Sequence, residues 1–127
     1  GVDLDADGRV YVADTWNQRV QVFEELEQGV FVAIAEWPVD GWLGQSLENK
    51  PYISVGPDGD YCVSDPEGYR ILCFDQEGAF KLGWGSFGGG DTQFGLPVGL
   101  AFTQSGEIWV ADGANDRVMK FDIPGGE

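Results

Sequence analysis

The sequence predicts an all-β protein made of three copies of one antiparallel unit. Three observations predict it. No segment of the 127 residues keeps an apolar period near 3.6, so no helix is expected. Twenty glycines punctuate short runs rich in valine and aromatic residues, the pattern of short strands and tight turns. Finally, "GVDLDADGRVYVADTWNQRVQVF", "YISVGPDGDYCVSDPEGYRILCF" and "GLAFTQSGEIWVADGANDRVMKF" align without a gap. Gly8, Gly59 and Gly106 share a column, recurring after 51 and 47 residues. So do Val12, Val63 and Val110; Asp14, Asp65 and Asp112; Arg19, Arg70 and Arg117; Phe23, Phe74 and Phe121.

Each copy reads as three strands. The first runs from Val2 to Asp5 or its equivalent, with Val2 and Leu4 expected to point inward. A turn follows at the shared glycine, which tolerates positive φ. The second strand is Val10 to Ala13 and the third Arg19 to Phe23. A fourth is expected near Val30 to Glu36 in the first copy and near Ala79 to Trp84 in the second. The third copy closes on "FDIPGGE" with none, for eleven strands in all. Four short antiparallel strands every 40 to 50 residues or so is the period of a β-propeller blade. The expected division is blade 1 at about 1–47, blade 2 at 48–95 and an incomplete blade 3 at 96–127, one partial propeller.

The stretches "GRVYVADTWNQRVQVF", "GDYCVSDPEGYRILCF" and "GEIWVADGANDRVMKF", with "WGSFGGGDTQFGLPVGL" between blades, resemble the NHL repeat family. The resemblance covers nearly the whole chain. The family's proline before the first strand is met by Pro51 and Pro97, one column apart. Its turn asparagine is met by Asn17 and Asn115, with Gly68 in the middle copy. Residues 35–51 form a longer connection than the family pattern and than their counterpart at 83–97.

Charge and composition narrow the function. The formal charge is −15, which repels phosphate backbones and argues against nucleic acid as a partner. The sequence has no histidine, which removes imidazole from acid–base catalysis and metal ligation within this chain. No run approaches the roughly 20 apolar residues of a membrane helix, so no direct membrane insertion is expected. Gly1 rather than Met opens the sequence, so the expectation is a piece of a longer polypeptide.

Five groups of residues are candidates for chemistry. Asp3, Asp5 and Asp7 with Gly8 and Asp14 imitate the start and twelfth position of an EF-hand loop, a candidate calcium set. Their columns hold Ser54, Gly56 and Asp58 in the second copy and Ala101, Thr103 and Ser105 in the third, so an acidic hairpin turn is the favoured reading. Gly83 to Gly88 matches a dinucleotide fingerprint but precedes "GGDTQFGLP", which starts no helix. The pairs Asp14–Arg19, Asp65–Arg70 and Asp112–Arg117 face each other across a hairpin in every copy, and read as structural rather than catalytic. The same register sets Cys62 opposite Cys73. Opposed Cβ atoms lie about 4.5–5.5 Å apart, longer than the ~3.8 Å of a disulfide. Two buried thiols are therefore expected, with a bridge as the alternative. The aromatics Trp16, Tyr69, Trp37, Trp42 and Phe87 lie outside the predicted strands, and either bind a ligand or pack between blades.

What the resemblance implies is mainly binding: NHL propellers hold protein, peptide, RNA or glycan partners on a rigid disc. Some NHL-like propellers are enzymes, including copper- or zinc-dependent amidating lyases and calcium-dependent lactonases and hydrolases, commonly with histidine on the central channel. The expectation here is a non-catalytic binding or scaffold module without a cofactor, the C-terminal part of a larger propeller with a protein or glycan ligand. A calcium-dependent hydrolase part using Asp3, Asp5 and Asp7 is one alternative, and a structural appendage of a large membrane or cell-surface protein another. The acidic, lysine-poor composition suits an extracytoplasmic bacterial module. Exposed strand faces carrying Val2, Leu4, Leu100 and Phe102 are expected to meet either further blades of a larger chain or a second copy. Two copies would supply six blade-like units, a count known among NHL propellers.

Overall fold

The computed structural model describes residues 1–42 and 49–123; residues 43–48 of the first inter-blade connection, and 124–127 of the "FDIPGGE" ending, lie outside it. It contains three antiparallel sheets. The first is β1 (Val2–Leu4), β2 (Val10–Asp14), β3 (Arg19–Glu27) and β4 (Val30–Pro38) in sequential order. The second repeats it with β5 (Ile53–Val55), β6 (Tyr61–Asp65), β7 (Arg70–Phe74) and β8 (Phe80–Trp84). The third has β9 (Pro97–Phe102), β10 (Ile108–Asp112) and β11 (Arg117–Phe121), and no fourth strand among the described residues. These are β-propeller blades in an open arc.

One turn recurs at the first hairpin of every blade. Gly8, Gly59 and Gly106 have φ of 83°, 88° and 91°. Their amides donate to the carbonyls of Asp5, Gly56 and Thr103, which belong to one column. A second recurrent element joins the second and third strands. Thr15–Asn17, Pro66–Gly68 and Gly113–Asn115 each form one 3-10 turn. Each ends on a left-handed residue, Gln18, Tyr69 or Asp116, at φ of 52°, 57° and 52°. No glycine marks that column, so the sequence pattern alone did not announce it.

Blades stack face to face. Tyr11, Ala13, Val20 and Val22 of blade 1 pack on Ile53, Tyr61, Val63, Leu72 and Phe74 of blade 2. Cys62, Ile71 and Cys73 on the opposite face of blade 2 pack with Ile108 and Val110 of blade 3, joined by Leu100, Phe102, Met119 and Phe121. Two expectations are corrected here. Val2 and Leu4 point away from the core and are 64% and 57% exposed. Leu100 and Phe102 lie against blade 2, not on an open face. The reason is that both faces of a blade are apolar, so strand alternation does not tell which face meets a neighbour.

The cysteine expectation is also corrected. Cys62 and Cys73 pair in the predicted register and their sulfurs are bonded at 2.03 Å. Their Cα atoms are only 4.0 Å apart, closer than the ~4.5 Å of an ordinary non-hydrogen-bonded pair, so the average Cβ spacing behind the expectation of free thiols does not apply at this pair.

Candidate functional site

The three Asp–Arg pairs sit where β2–β3, β6–β7 and β10–β11 close on their 3-10 turns. Nε of Arg19 and of Arg70 donates to the paired aspartate at 2.8 Å, and Nε of Arg117 at 3.4 Å. The rest of each guanidinium reaches elsewhere. Arg117 donates to the carbonyls of Gly89, Gly90 and Gln93, all in the connection entering blade 3 from blade 2. Asp112, fully buried, accepts from the amides of Gly95 and Leu96 in the same connection. Arg70 reaches back likewise to the carbonyl of Gly41 at 3.2 Å. Arg19 turns to Glu36 of its own blade at 2.9 Å. In blades 2 and 3 the pair therefore latches the incoming chain onto the blade it enters.

The turn asparagine completes the latch. Asn115 donates to Asp112 at 2.7 Å and to the Gly88 carbonyl at 3.0 Å, and Asn17 donates to Asp14. Where the column holds Gly68, the backbone amide takes over, donating to Asp65 at 3.2 Å. A Cβ at Gly68 would meet the Asp65 carboxylate as it is placed here.

These contacts set the acid response. The Arg19 hydrogen bond holds the Asp14 carboxyl below its ordinary value of 3.8, against a smaller opposing push from burial. Burial is the largest influence on Asp112 and would raise it, but the Leu96 amide, Asn115, the Gly95 amide and Arg117 together hold it low. Folded-state values below unfolded ones mean stability that is present above pH 3.8 and is lost as pH falls through the folded values. The urea midpoint should therefore hold or rise toward the isoelectric region near pH 4.1, as net repulsion is relieved, and fall below it. A midpoint unchanged down to about pH 2 would contradict the assignment.

The acidic opening does not converge on one point. Asp3 crosses to blade 2, its Oδ2 accepting from the Val55 amide at 2.7 Å. Asp5 is nearly buried and organises the turn, accepting from the amides of Asp7 and Arg9 at 2.9 Å and from Nε of Arg9 at 2.7 Å. Asp7 is exposed and meets the other end of the same guanidinium at 3.1 Å. The cation that bridges Asp5 and Asp7 is thus Arg9. No group of three acidic or cysteine side chains that could hold a metal occurs among the described residues. The Asp3 contact was missed in the sequence, although Ser54 in the same column was a signal. Its Oγ accepts from the Phe102 amide at 3.0 Å, the same clasp one blade further on.

The aromatics divide. Trp42 is 1% exposed, with its indole N–H on the Ser64 carbonyl at 3.0 Å. Trp37 stacks on Tyr61 at 5.6 Å between blades 1 and 2. Both are packing residues, which corrects their candidacy for ligand contact. Trp16 is 70% exposed under the Lys50 ammonium, and Tyr69 meets exposed Phe87 edge-on at 5.0 Å. Tyr52, absent from the sequence-derived candidates, is also exposed beside the second 3-10 turn, its carbonyl accepting from Ser64 N. These four rings lie at the end of the sheets where the 3-10 turns and inter-blade connections gather.

A family model for the NHL repeat matches residues 1–23 and 94–121, the first and third copies of the frame. The human NHL repeat-containing protein 3 is 31% identical over 86 residues, 64% of this chain and 24% of that protein. These matches support an NHL-repeat fragment. A probable peptidyl-alpha-hydroxyglycine alpha-amidating lyase of Caenorhabditis elegans, pgal-1, is 28% identical over 128 aligned positions, 93% of this chain and 37% of that protein. Among solved structures, a streptogramin B lyase superposes with a TM-score of 0.63 at 14% identity, over 97% of this chain and 40% of its own. Virginiamycin B lyase from Staphylococcus aureus, in a catalytically inactive histidine-to-alanine form with quinupristin, gives 0.61 at 17%. At such identities these structures speak for the propeller fold alone. The chain spans about a quarter to two fifths of the length of these relatives.

Proposed function

We propose that this chain is a non-catalytic binding and scaffold part of an NHL propeller, offering a protein or glycan partner an aromatic surface at the connection end of the blades. The observation that carries the reading is a division of labour at that end. The repeated aspartates and arginines are engaged in latching the chain, while Trp16, Tyr52 and Phe87 stand out at 70%, 48% and 69% exposure. Exposed rings beside backbone carbonyls and turns suit the face of a sugar or the side chains of an extended peptide. Screening the chain against a soluble oligosaccharide panel and a peptide panel should give binding that Trp16→Ala weakens and Trp109→Ala, on a blade face, leaves unchanged. Binding indifferent to Trp16, Tyr52 and Phe87 alike would place the surface elsewhere.

A second reading has one observation in its favour: the alignment with the probable amidating lyase runs along 93% of the chain. Against it stands a sequence without histidine. Incubation with a peptidyl-α-hydroxyglycine substrate, with zinc, copper or calcium supplied in turn, should release no amidated peptide. Turnover under any of these conditions would favour the lyase reading over ours.

A further inference from the structure

A groove of about 370 Å³ opens at the rim between blades 1 and 2. Both walls are complete four-stranded blades of this chain, and the groove runs between their outer strands β4 and β8. Pro38, Leu72, Phe74 and Phe80 make it apolar, and Asp40 and Arg70 are its two charged groups. Gly41 keeps it open, because a Cβ there would come within 2.6 Å of Arg70 Nη2 and 2.9 Å of Leu72 Cδ1. The volume lies within the range of about 300–1,000 Å³ typical of sites for small groups.

Both charged groups have capacity to spare. Arg70 gives Nε to Asp65 and Nη2 to the Gly41 carbonyl, and Nη1 has no partner among the described residues. Asp65, at 2.8 Å, already balances the charge of the guanidinium, so a neutral carbonyl suits the spare N–H better than a carboxylate. Asp40 is exposed and forms no ion pair among the described residues, so it suits a cation. The next junction shows this kind of recognition in use. Arg117, in the column of Arg70, donates to the carbonyls of Gly89, Gly90 and Gln93. Phe121, in the column of Phe74, meets the ring of Phe94 edge-on at 5.9 Å. One stretch of peptide thus gives its carbonyls to the arginine and a ring to the phenylalanine four residues along.

We propose that the groove between blades 1 and 2 docks an extended peptide segment of a partner protein in which an aromatic residue stands beside a lysine or arginine. The ring lies among Pro38, Leu72, Phe74 and Phe80, a main-chain carbonyl accepts from Arg70 Nη1, and the cation meets Asp40. A neutral glycan has no cation for Asp40, and an acidic peptide meets both Asp40 and the −15 of the chain. The site is separate from the aromatic surface at the connection end, since Trp16, Tyr52 and Phe87 do not line it.

Isothermal titration of the protein with an acetylated, amidated pentapeptide carrying phenylalanine–arginine at its centre tests this. Saturable binding is expected, weaker as salt rises. Phe80→Ala should weaken it about 10-fold. Asp40→Lys should weaken it about 5-fold and raise the affinity for a peptide with glutamate in place of the arginine. Both side chains are exposed, so the far-UV circular dichroism spectrum should not change. Trp16→Ala should leave the affinity as it is, which separates this site from the one proposed above. Absence of saturable binding would overturn the proposal. Equal affinity for an alanine–arginine peptide would mean unspecific attraction to an acidic chain, and wild-type affinity in either groove variant would place the peptide elsewhere; each overturns it.

Discussion

Replacing Asp112 with alanine should destabilise the protein by about 3–5 kcal/mol, the cost of removing one partner of a buried ion pair. The carboxylate is fully buried and accepts from Gly95 N, Leu96 N, Asn115 and Arg117. Without it two backbone amides of the connection lose their acceptor in a water-poor site. Asp14→Ala serves as the control. That aspartate is partly exposed and its arginine retains Glu36, so a loss within about 1 kcal/mol is expected. Urea denaturation of both variants measures the contrast. Equal losses, or a loss under about 1 kcal/mol for Asp112→Ala, would mean that the latch contributes little.

Tyr61→Ala should cost a similar 3–5 kcal/mol or so, the range for removing a large buried ring. Tyr61 is fully buried between Trp37, at 5.6 Å, and Phe74, at 5.1 Å, and carries the contact between blades 1 and 2. Tyr61→Phe should behave in the opposite sense. The phenol oxygen is buried with no hydrogen-bond partner among the described residues, so deleting it should remove an uncompensated desolvation of about 1–3 kcal/mol. The phenylalanine variant is expected at or above wild-type stability. A clear loss on Tyr61→Phe would show that the hydroxyl has a bonded partner in solution.

Much of this architecture is legible in one sequence because it repeats. Shared columns place most strand ends within a residue or two, although β3 runs on to Glu27 and β9 begins at Pro97; they set Asp65 against Arg70 and Cys62 against Cys73, and assign Gly8, Gly59 and Gly106 to turns with positive φ. Three other features were not legible, each for its own physical reason. The destination of Arg117 lies 24 to 28 residues away in a connection with no periodic pattern. The orientation of Val2 and Leu4 depends on which blade face has a neighbour, and both faces are apolar. Trp42 is buried in the cluster between blades 1 and 2, with its indole N–H on the Ser64 carbonyl, at a position that no repeat column marks. Asp3 was readable in principle: a short polar acceptor recurs in its column at Ser54, but a run of acids drew attention to metal chemistry instead.

Side chains of repeated columns hold each blade, and each connection, to its neighbour. Amide hydrogen exchange tests that most directly. Gly95 and Leu96 lie outside the strands, and Asp112 is what their amides bond. Val55 and Phe102 are on innermost strands, with their amides on Asp3 and Ser54 of the preceding blade. We expect all four amides to exchange as slowly as those of the central strands, and Gly95 and Leu96 to lose that protection in Asp112→Ala while Val55 keeps it. Exchange of these amides at the rates of exposed loops in the wild-type chain would contradict the account.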